Sequence, residues 1–198
     1  MKNDWLAIVF LVFVGIERLY ERRYNRQAMR GERKIEWSYT TLHSLYIVIF
    51  FGAAGEHFWL RRPLHWLVTG AGLGLFLLSL VIRLIAIRAL GRFWSLQVEI
   101  RQEHRLVREG IYQYVRHPAY LAMVLEIVAI PLVVNSYYTA IFAIVAFVPA
   151  LLVRWRYEER ELVRKLGDVY VQYQREVGAF FPNPRTRRRG PRRDASAT

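Results

Sequence analysis

The sequence predicts an all-α, polytopic membrane protein with about five transmembrane helices and a polar lobe on the cytoplasmic side. Two observations lead to this fold class. Hydrophobic residues make up 54% of the 198 residues, and they are gathered in blocks that approach the roughly 17–25 residues needed to cross a bilayer as a helix. The basic residues lie mostly between and after these blocks, as they do in cytoplasmic loops of membrane proteins.

Five apolar blocks qualify as membrane-spanning helices. Pro118 suits the start of the fourth, because the N–H that proline lacks would have no partner in a first helical turn. Asn135 and Ser136 form a tight, uncharged turn before the fifth, whose helical pattern continues beyond the membrane to about Val177. The predicted spans are residues 5–20, 40–60, 64–90, 119–134 and 137–153.

The distribution of Lys and Arg predicts the orientation of these spans. Residues 18–37 contain seven of them, residues 91–118 contain five and the chain after Val153 contains twelve. An amino terminus outside and a carboxyl terminus in the cytoplasm place all three regions on one side. Residues 1–182 are then a single membrane domain, and residues 183–198 are predicted to be a basic, disordered tail.

Composition excludes several classes of site. The chain has no cysteine, so disulfides, thiolate catalysis and Cys-based metal sites are excluded. His43, His57 and His65 show no metal-ligand spacing, and we expect no metal. The formal net charge of +13 indicates contact with anionic membrane lipid rather than with nucleic acid in a protein of this kind.

Two polar runs contain most of the groups that could carry out chemistry. The first reads HRLVREGIYQYVRHPAY over residues 104–120, and the second reads RWRYEEREL over residues 154–162. Aromatic faces and a carboxylate attract a cation such as a sulfonium, and Arg154 and Glu158 share one helical face. Taken singly, these residues have ordinary explanations, such as a helix start, a lipid-facing arginine or a solvated face. Together, at these spacings, they indicate a binding site.

The two runs together resemble the signature of the isoprenylcysteine carboxyl methyltransferase family, with similarity from about residue 83 to residue 182. The resemblance implies a membrane methyltransferase that uses S-adenosylmethionine bound in the cytoplasmic lobe. It places Arg154 at the reacting group of the substrate, as the catalytic residue. The positions that match the family's cofactor contacts are Gln97, His104, Leu106, Val107, Tyr112, His117, Pro118, Tyr120 and Glu158.

The acceptor implied by the resemblance is a lipophilic small molecule. Ala122 stands where the family usually has Gly, and Ile130-Pro131 stands where it has Asn-Pro. In these features the chain looks more like compact bacterial relatives, some of them similar to enzymes that methylate long-chain alkylpyrones or alkylresorcinols. The expected function is O-methylation, at the bacterial inner membrane, of a prenylcysteine-like carboxylate or of such an acidic hydroxyl.

Two charged residues fall within predicted spans, Arg83 in the third and Glu126 in the fourth. A charge at membrane depth costs roughly 2.5–3.5 kcal/mol on insertion scales, so each needs a partner. We expect them to pair with each other or to line a tunnel that receives the substrate, and we include both among the candidate substrate-binding residues.

Three other functions are compatible with parts of the sequence. A phospholipid-amine N-methyltransferase shares some of the signature but needs no arginine for an oxyanion. A sterol-type membrane reductase resembles the carboxyl-terminal region in layout and would depend on a nicotinamide. A non-enzymatic membrane scaffold or a small transporter would not need the spacing of residues 104–120. A soluble Rossmann methyltransferase is excluded, because no Gly-rich loop follows a strand.

Overall fold

The computed structural model describes residues 4–25, 32–34, 36–61, 63–91, 98–100 and 106–183. Helices dominate it, in agreement with the predicted class. The elements are helices α1 (Asp4–Asn25), α2 (Glu36–Leu60), α3 (Trp66–Leu90), α4 (Pro118–Val133), α5 (Tyr137–Phe142), α6 (Val148–Leu166) and α7 (Asp168–Glu176), strands β1 (Glu32–Lys34) and β2 (Val98–Ile100), and a 3₁₀ turn, Gly110–Gln113.

A short ladder between β1 and β2 departs from the all-α expectation. The two strands pair antiparallel, with Arg33 opposite Glu99. Each strand has only three residues, which is too few to show the alternation of polar and apolar residues that marks a strand in a sequence. The ladder joins the chain after α1 to the chain after α3.

Within the described residues, two helices are long and apolar enough to cross a membrane. They are α3 and the continuous helix formed by residues 137–166. Only 22% of the 18-residue apolar stretch of α3 is buried inside the protein. Most of its apolar surface therefore faces outward, as it does in a helix that contacts lipid. Helix α4 is apolar but shorter, and the five spans and their orientation remain predictions.

Helices α3 and α4 approach each other closely in the core. A Cβ atom on Gly72 would lie 2.7 Å from the backbone nitrogen of Val133, so a glycine is needed for this approach. Beside it, Phe76 packs edge-to-face on Phe10 of α1, with ring centroids 5.1 Å apart. Glycine at this position therefore lets two apolar helices approach closely, as small residues commonly do in membrane proteins.

The helix that begins at Tyr137 contains one irregular turn. Residues Ala143–Phe147 are π-helical and connect α5 to α6 without a break. The helix ends at Leu166, not at about Val177 as predicted, because Gly167 takes a φ of +59°. A left-handed residue reverses the backbone direction, and α7 then starts as a separate helix.

The chain after α7 folds back on the start of α4. The backbone N–H of Arg116 donates to Gly178 O at 3.0 Å, and that of His117 donates to Ala179 O at 2.9 Å. This return brings α7 and residues 177–181 against the first polar run. The predicted tail lies outside the described residues, apart from Asn183.

Candidate active site

The first polar run and α6 meet at the buried carboxylate of Glu159. His117 Nε2 lies 2.6 Å from Glu159 Oε1, and Arg116 Nη2 lies 3.2 Å from Oε2. From α7, the Tyr170 hydroxyl donates to Oε1 at 2.6 Å and Gln174 Nε2 donates to Oε2 at 2.7 Å. We call these five residues the His117 network. It holds the residues before α4 against both carboxyl-terminal helices.

Tyr170 enters the His117 network as a neutral hydrogen-bond donor. Burial first, and then the nearby carboxylate of Glu159, raise the pKa of the Tyr170 hydroxyl well above its usual value. The phenol therefore stays protonated and donates a hydrogen bond to Glu159.

A second set of contacts joins Arg154 and Glu158 through one hydroxyl group. Arg154 Nε donates to the Tyr120 hydroxyl oxygen at 2.9 Å, and that hydroxyl donates to Glu158 Oε2. Arg154 Nη1 also reaches Ser38 Oγ, at 3.3 Å. Arg154 as a whole is only 4% exposed, so its guanidinium is a buried cation whose orientation is fixed by contacts on two sides.

Aromatic rings surround His117. The imidazole stacks on the Tyr120 ring with centroids 5.4 Å apart, and Trp155 stands edge-on to it. Phe180, from the returning chain, packs on Trp155 at 5.1 Å. Trp155 Nε1 is buried, and in the described part of the chain it has no hydrogen-bond partner.

The other predicted cofactor-contact residues divide into those that the structure describes and those that it does not. Pro118 occupies the first turn of α4, as expected. Tyr112 is buried, and its carbonyl oxygen accepts a bond from the Tyr173 hydroxyl at 2.6 Å. Leu106 packs on Tyr170 and Tyr173, and Val107 is half-buried. The remaining two, Gln97 and His104, lie outside the described residues.

Arg83 and Glu126 lie in contact with each other in a larger group of charges. Arg83 Nη1 also pairs with Glu17 Oε1 at 2.9 Å. Arg18 Nε lies 3.0 Å from Glu126 Oε1, and the Tyr46 hydroxyl donates to the same oxygen at 3.1 Å. These five residues form what we call the Glu126 cluster, in which two guanidinium groups face two carboxylates across α1, α3 and α4.

A cavity of about 90 Å³ lies between the Glu126 cluster and Arg154. Its polar lining includes Arg18, Tyr46, Glu126 and Arg154, and the rest is largely apolar and aromatic. At about 30 Å³ per water molecule, the cavity has room for a compact polar group. Arg83 is not among its lining residues.

The family model of the isoprenylcysteine carboxyl methyltransferase family matches residues 72–164. That range contains both the His117–Glu159 contact and the Arg154–Tyr120–Glu158 contacts. The chain is similar to this family over that range, which is just under half of its length.

Named members of the family cover most of the chain. A probable protein-S-isoprenylcysteine O-methyltransferase of Oryza sativa subsp. indica is 26% identical over 196 residues, which are 90% of this chain and 95% of the relative. Protein-S-isoprenylcysteine O-methyltransferase B of Arabidopsis thaliana is 34% identical over 121 residues, 60% of this chain and 61% of the plant protein.

A solved structure shares the fold. The eukaryotic intramembrane Ras methyltransferase aligns with a TM-score of 0.51 and 24% identity, over 75% of this chain and 53% of that protein. The chain therefore spans only about half of the length of that methyltransferase and 61% of the Arabidopsis one.

Several residues of the site were not assigned a role from the sequence. Glu159 stands beside Glu158 in the signature, but nothing in the pattern indicates that it binds His117. Arg116 and Gln174 gave no signal either. The one available signal was the occurrence of two polar side chains, His117 and Tyr120, in the first run and of two adjacent carboxylates in the second.

Proposed function

We propose that this protein is a member of the isoprenylcysteine carboxyl methyltransferase family and an S-adenosylmethionine-dependent O-methyltransferase. Its acceptor is a lipophilic small molecule with a prenylcysteine-like carboxylate or an acidic hydroxyl of the alkylpyrone or alkylresorcinol type. The enzyme works in the bacterial inner membrane, with its cofactor lobe and carboxyl terminus on the cytoplasmic side.

The position of Arg154 is the observation that carries the proposal. Its guanidinium is buried, its orientation is fixed by Tyr120 and Ser38, and it lines a cavity next to apolar helices. A cation in such a water-poor environment attracts an anionic oxygen far more strongly than it would in water. An enzyme that methylates an oxyanion requires such a group, whereas one that methylates an amine does not.

The residues around His117 fit the cofactor. The aromatic faces of Tyr120 and Trp155 and the carboxylate of Glu158 suit a sulfonium cation, and the unpartnered Trp155 Nε1 is a donor that a bound ligand could satisfy. We propose that Glu158, His117, Pro118, Tyr120, Tyr112, Leu106 and Val107 contact it, together with Gln97 and His104.

The cofactor supplies an activated methyl group, and the protein's contribution is orientation and exclusion of water. Arg154 would hold the acceptor oxygen through a charge-assisted hydrogen bond. Because a carboxylate or an acidic hydroxyl is already largely anionic, no strong base is needed. Tyr120 links Arg154 to Glu158, so the residue proposed for the acceptor and one proposed for the cofactor are fixed relative to each other.

Glu126 shares the cavity with Arg154, which supports its proposed role in binding the acceptor's polar group. The apolar remainder of the lining suits the adjoining part of a lipid tail. Arg83 lies behind Glu126 and would act on the acceptor only by orienting that carboxylate.

Arg154→Ala tests the proposal in detergent-purified protein. We expect kcat to fall by about 100-fold or more, the loss typical of removing one donor to an oxyanion. Binding of S-adenosylhomocysteine, measured by calorimetry, should remain nearly unchanged. Arg156→Ala is the matched control, because Arg156 is exposed on the same helix and should keep full activity.

Three outcomes would contradict the proposal. Failure of the folded wild type to bind either S-adenosylmethionine or S-adenosylhomocysteine would remove the methyltransferase function and favour a reductase or a scaffold. Full activity of Arg154→Ala on a phospholipid amine would indicate N-methylation. Loss of both cofactor binding and turnover in Arg154→Ala would contradict the separate role of this residue.

A further inference from the structure

Arg116 has two hydrogen-bonding groups with no partner among the residues that the structure describes. Its side chain is 8% exposed, and its Nη2 forms an ion pair with Glu159 Oε2 at 3.2 Å. Nε and Nη1 are both buried, and neither has a hydrogen-bond partner within the described ranges. Buried donors of a charged group are nearly always satisfied in folded proteins, so two on one side chain need an explanation.

Glu159 does not fully balance this cation. The same carboxylate is also hydrogen-bonded to His117, Tyr170 and Gln174. Arg116 therefore shares this counter-ion with three other groups. The next residues along the chain add to the local positive potential. Helix α4 starts at Pro118, and no side chain caps its amino terminus, which leaves the positive end of the helix dipole uncompensated by a cap.

The Arg116 guanidinium is also held in place. Its backbone N–H is bonded to Gly178 O at 3.0 Å, and its neighbour His117 is anchored on the same carboxylate. Its unpartnered donors therefore belong to a fixed group next to His117, whose imidazole stacks on the Tyr120 ring proposed for the cofactor. A planar, buried guanidinium of this kind suits a carboxylate ligand.

We infer that Arg116 binds the carboxylate of the amino-acid end of the methyl donor. The inference rests on the proposed function and adds a residue that the match to the family's cofactor contacts does not include. Arg116 is then the group that distinguishes a nucleoside with an attached amino acid from a nucleoside that lacks it.

Calorimetry with three ligands tests the inference. S-adenosylhomocysteine carries the carboxylate, its decarboxylated analogue lacks only that group, and 5′-methylthioadenosine lacks the whole amino-acid end. We expect Arg116→Gln to weaken S-adenosylhomocysteine binding by roughly 10- to 100-fold, the range for a hydrogen bond to a charged group. Binding of the other two ligands should change by less than about twofold. Arg108→Gln is the control, because Arg108 pairs with Glu176 but is 35% exposed.

The wild type alone provides a second measurement that does not depend on the folding of a variant. It should bind S-adenosylhomocysteine at least roughly tenfold more tightly than the decarboxylated analogue. Equal affinity for the two would overturn the inference while leaving the proposed function intact. So would an equal loss for all three ligands in Arg116→Gln, which would indicate a structural role. If the wild type binds none of them, the proposed function fails first.

Discussion

The Glu126 cluster and the His117 network are two buried polar groups that are built differently. The Glu126 cluster contains two carboxylates and two guanidinium groups, so its formal charges are equal in number. The His117 network contains a single carboxylate that contacts four donors, one of which, Arg116, keeps two N–H groups without a partner among the described residues.

This difference separates a group whose charges are balanced within the protein from one whose donors are left available for a ligand. A charge cluster that is balanced within the protein lowers the cost of having charges among apolar helices. An incompletely satisfied network is unfavourable until something binds to it. The following predictions test this distinction, from the largest expected effect to the smallest.

Removing one charge from the Glu126 cluster should have the largest effect on stability. Glu126→Ala leaves Arg83 and Arg18 facing one carboxylate, Glu17, in a buried position. We expect a loss of about 3–5 kcal/mol, because an uncompensated buried charge remains. Reversible unfolding in mixed detergent micelles measures this loss.

The double variant Arg83→Leu/Glu126→Leu is the matched comparison. Replacement of a buried pair by apolar residues is often neutral or stabilising, so most of the stability should return. Methyl transfer by the folded double variant should still fall if Glu126 contacts the acceptor. Undiminished activity would show that the pair is only structural.

Gly72→Ala should affect the packing that positions the Glu126 cluster. The added methyl group would meet the Val133 backbone nitrogen at 2.7 Å, and α3 and α4 would have to move apart at a cost of about 1–3 kcal/mol. Gly74→Ala is the control, because no atom lies within 4 Å of its added carbon. Equal melting temperatures for the two variants would contradict the close contact.

Tyr170→Phe should have the smallest effect, in the His117 network. It removes one hydrogen bond to the charged Glu159 carboxylate, for a loss of about 1.5 kcal/mol. This is the low end of the range for bonds to charged groups, because Glu159 keeps three other donors. Because burial raises the pKa of Tyr170 in the folded state, this contribution should be constant below about pH 10 and decline above it, where the unfolded phenol ionises. If the stability advantage of the wild type over the variant grew above pH 10, the prediction would be contradicted.

The sequence predicted the main helices well, because their apolar blocks are long. Helices α2, α3 and α4 begin or end within a few residues of the predicted limits. The i to i+4 spacing also placed Arg154 and Glu158 on one face, where both reach the Tyr120 hydroxyl. The expected partner for Arg83 likewise followed from the cost of a lone charge among apolar residues.

Other features depend on information that periodicity lacks. The participation of Arg18 and Tyr46 depends on how α1 and α2 are rotated against α4, and hydropathy does not determine a rotation. The partners of Glu159 come from α7, which exists as a separate helix because Gly167 ends α6. The unpartnered donors of Arg116 can be recognised only from the three-dimensional positions of the neighbouring atoms.

The π-helical turn at Ala143–Phe147 determines the rotational phase of everything that follows it. Such a turn accommodates one extra residue within a continuous helix, and each residue of an α-helix advances the side-chain direction by about 100°. Deleting one residue there would restore a regular helix and turn Arg154 and Glu158 together, away from Tyr120. Deletion of one residue, about two helical turns or more before Arg154, would thus disrupt the site without altering any of its side chains.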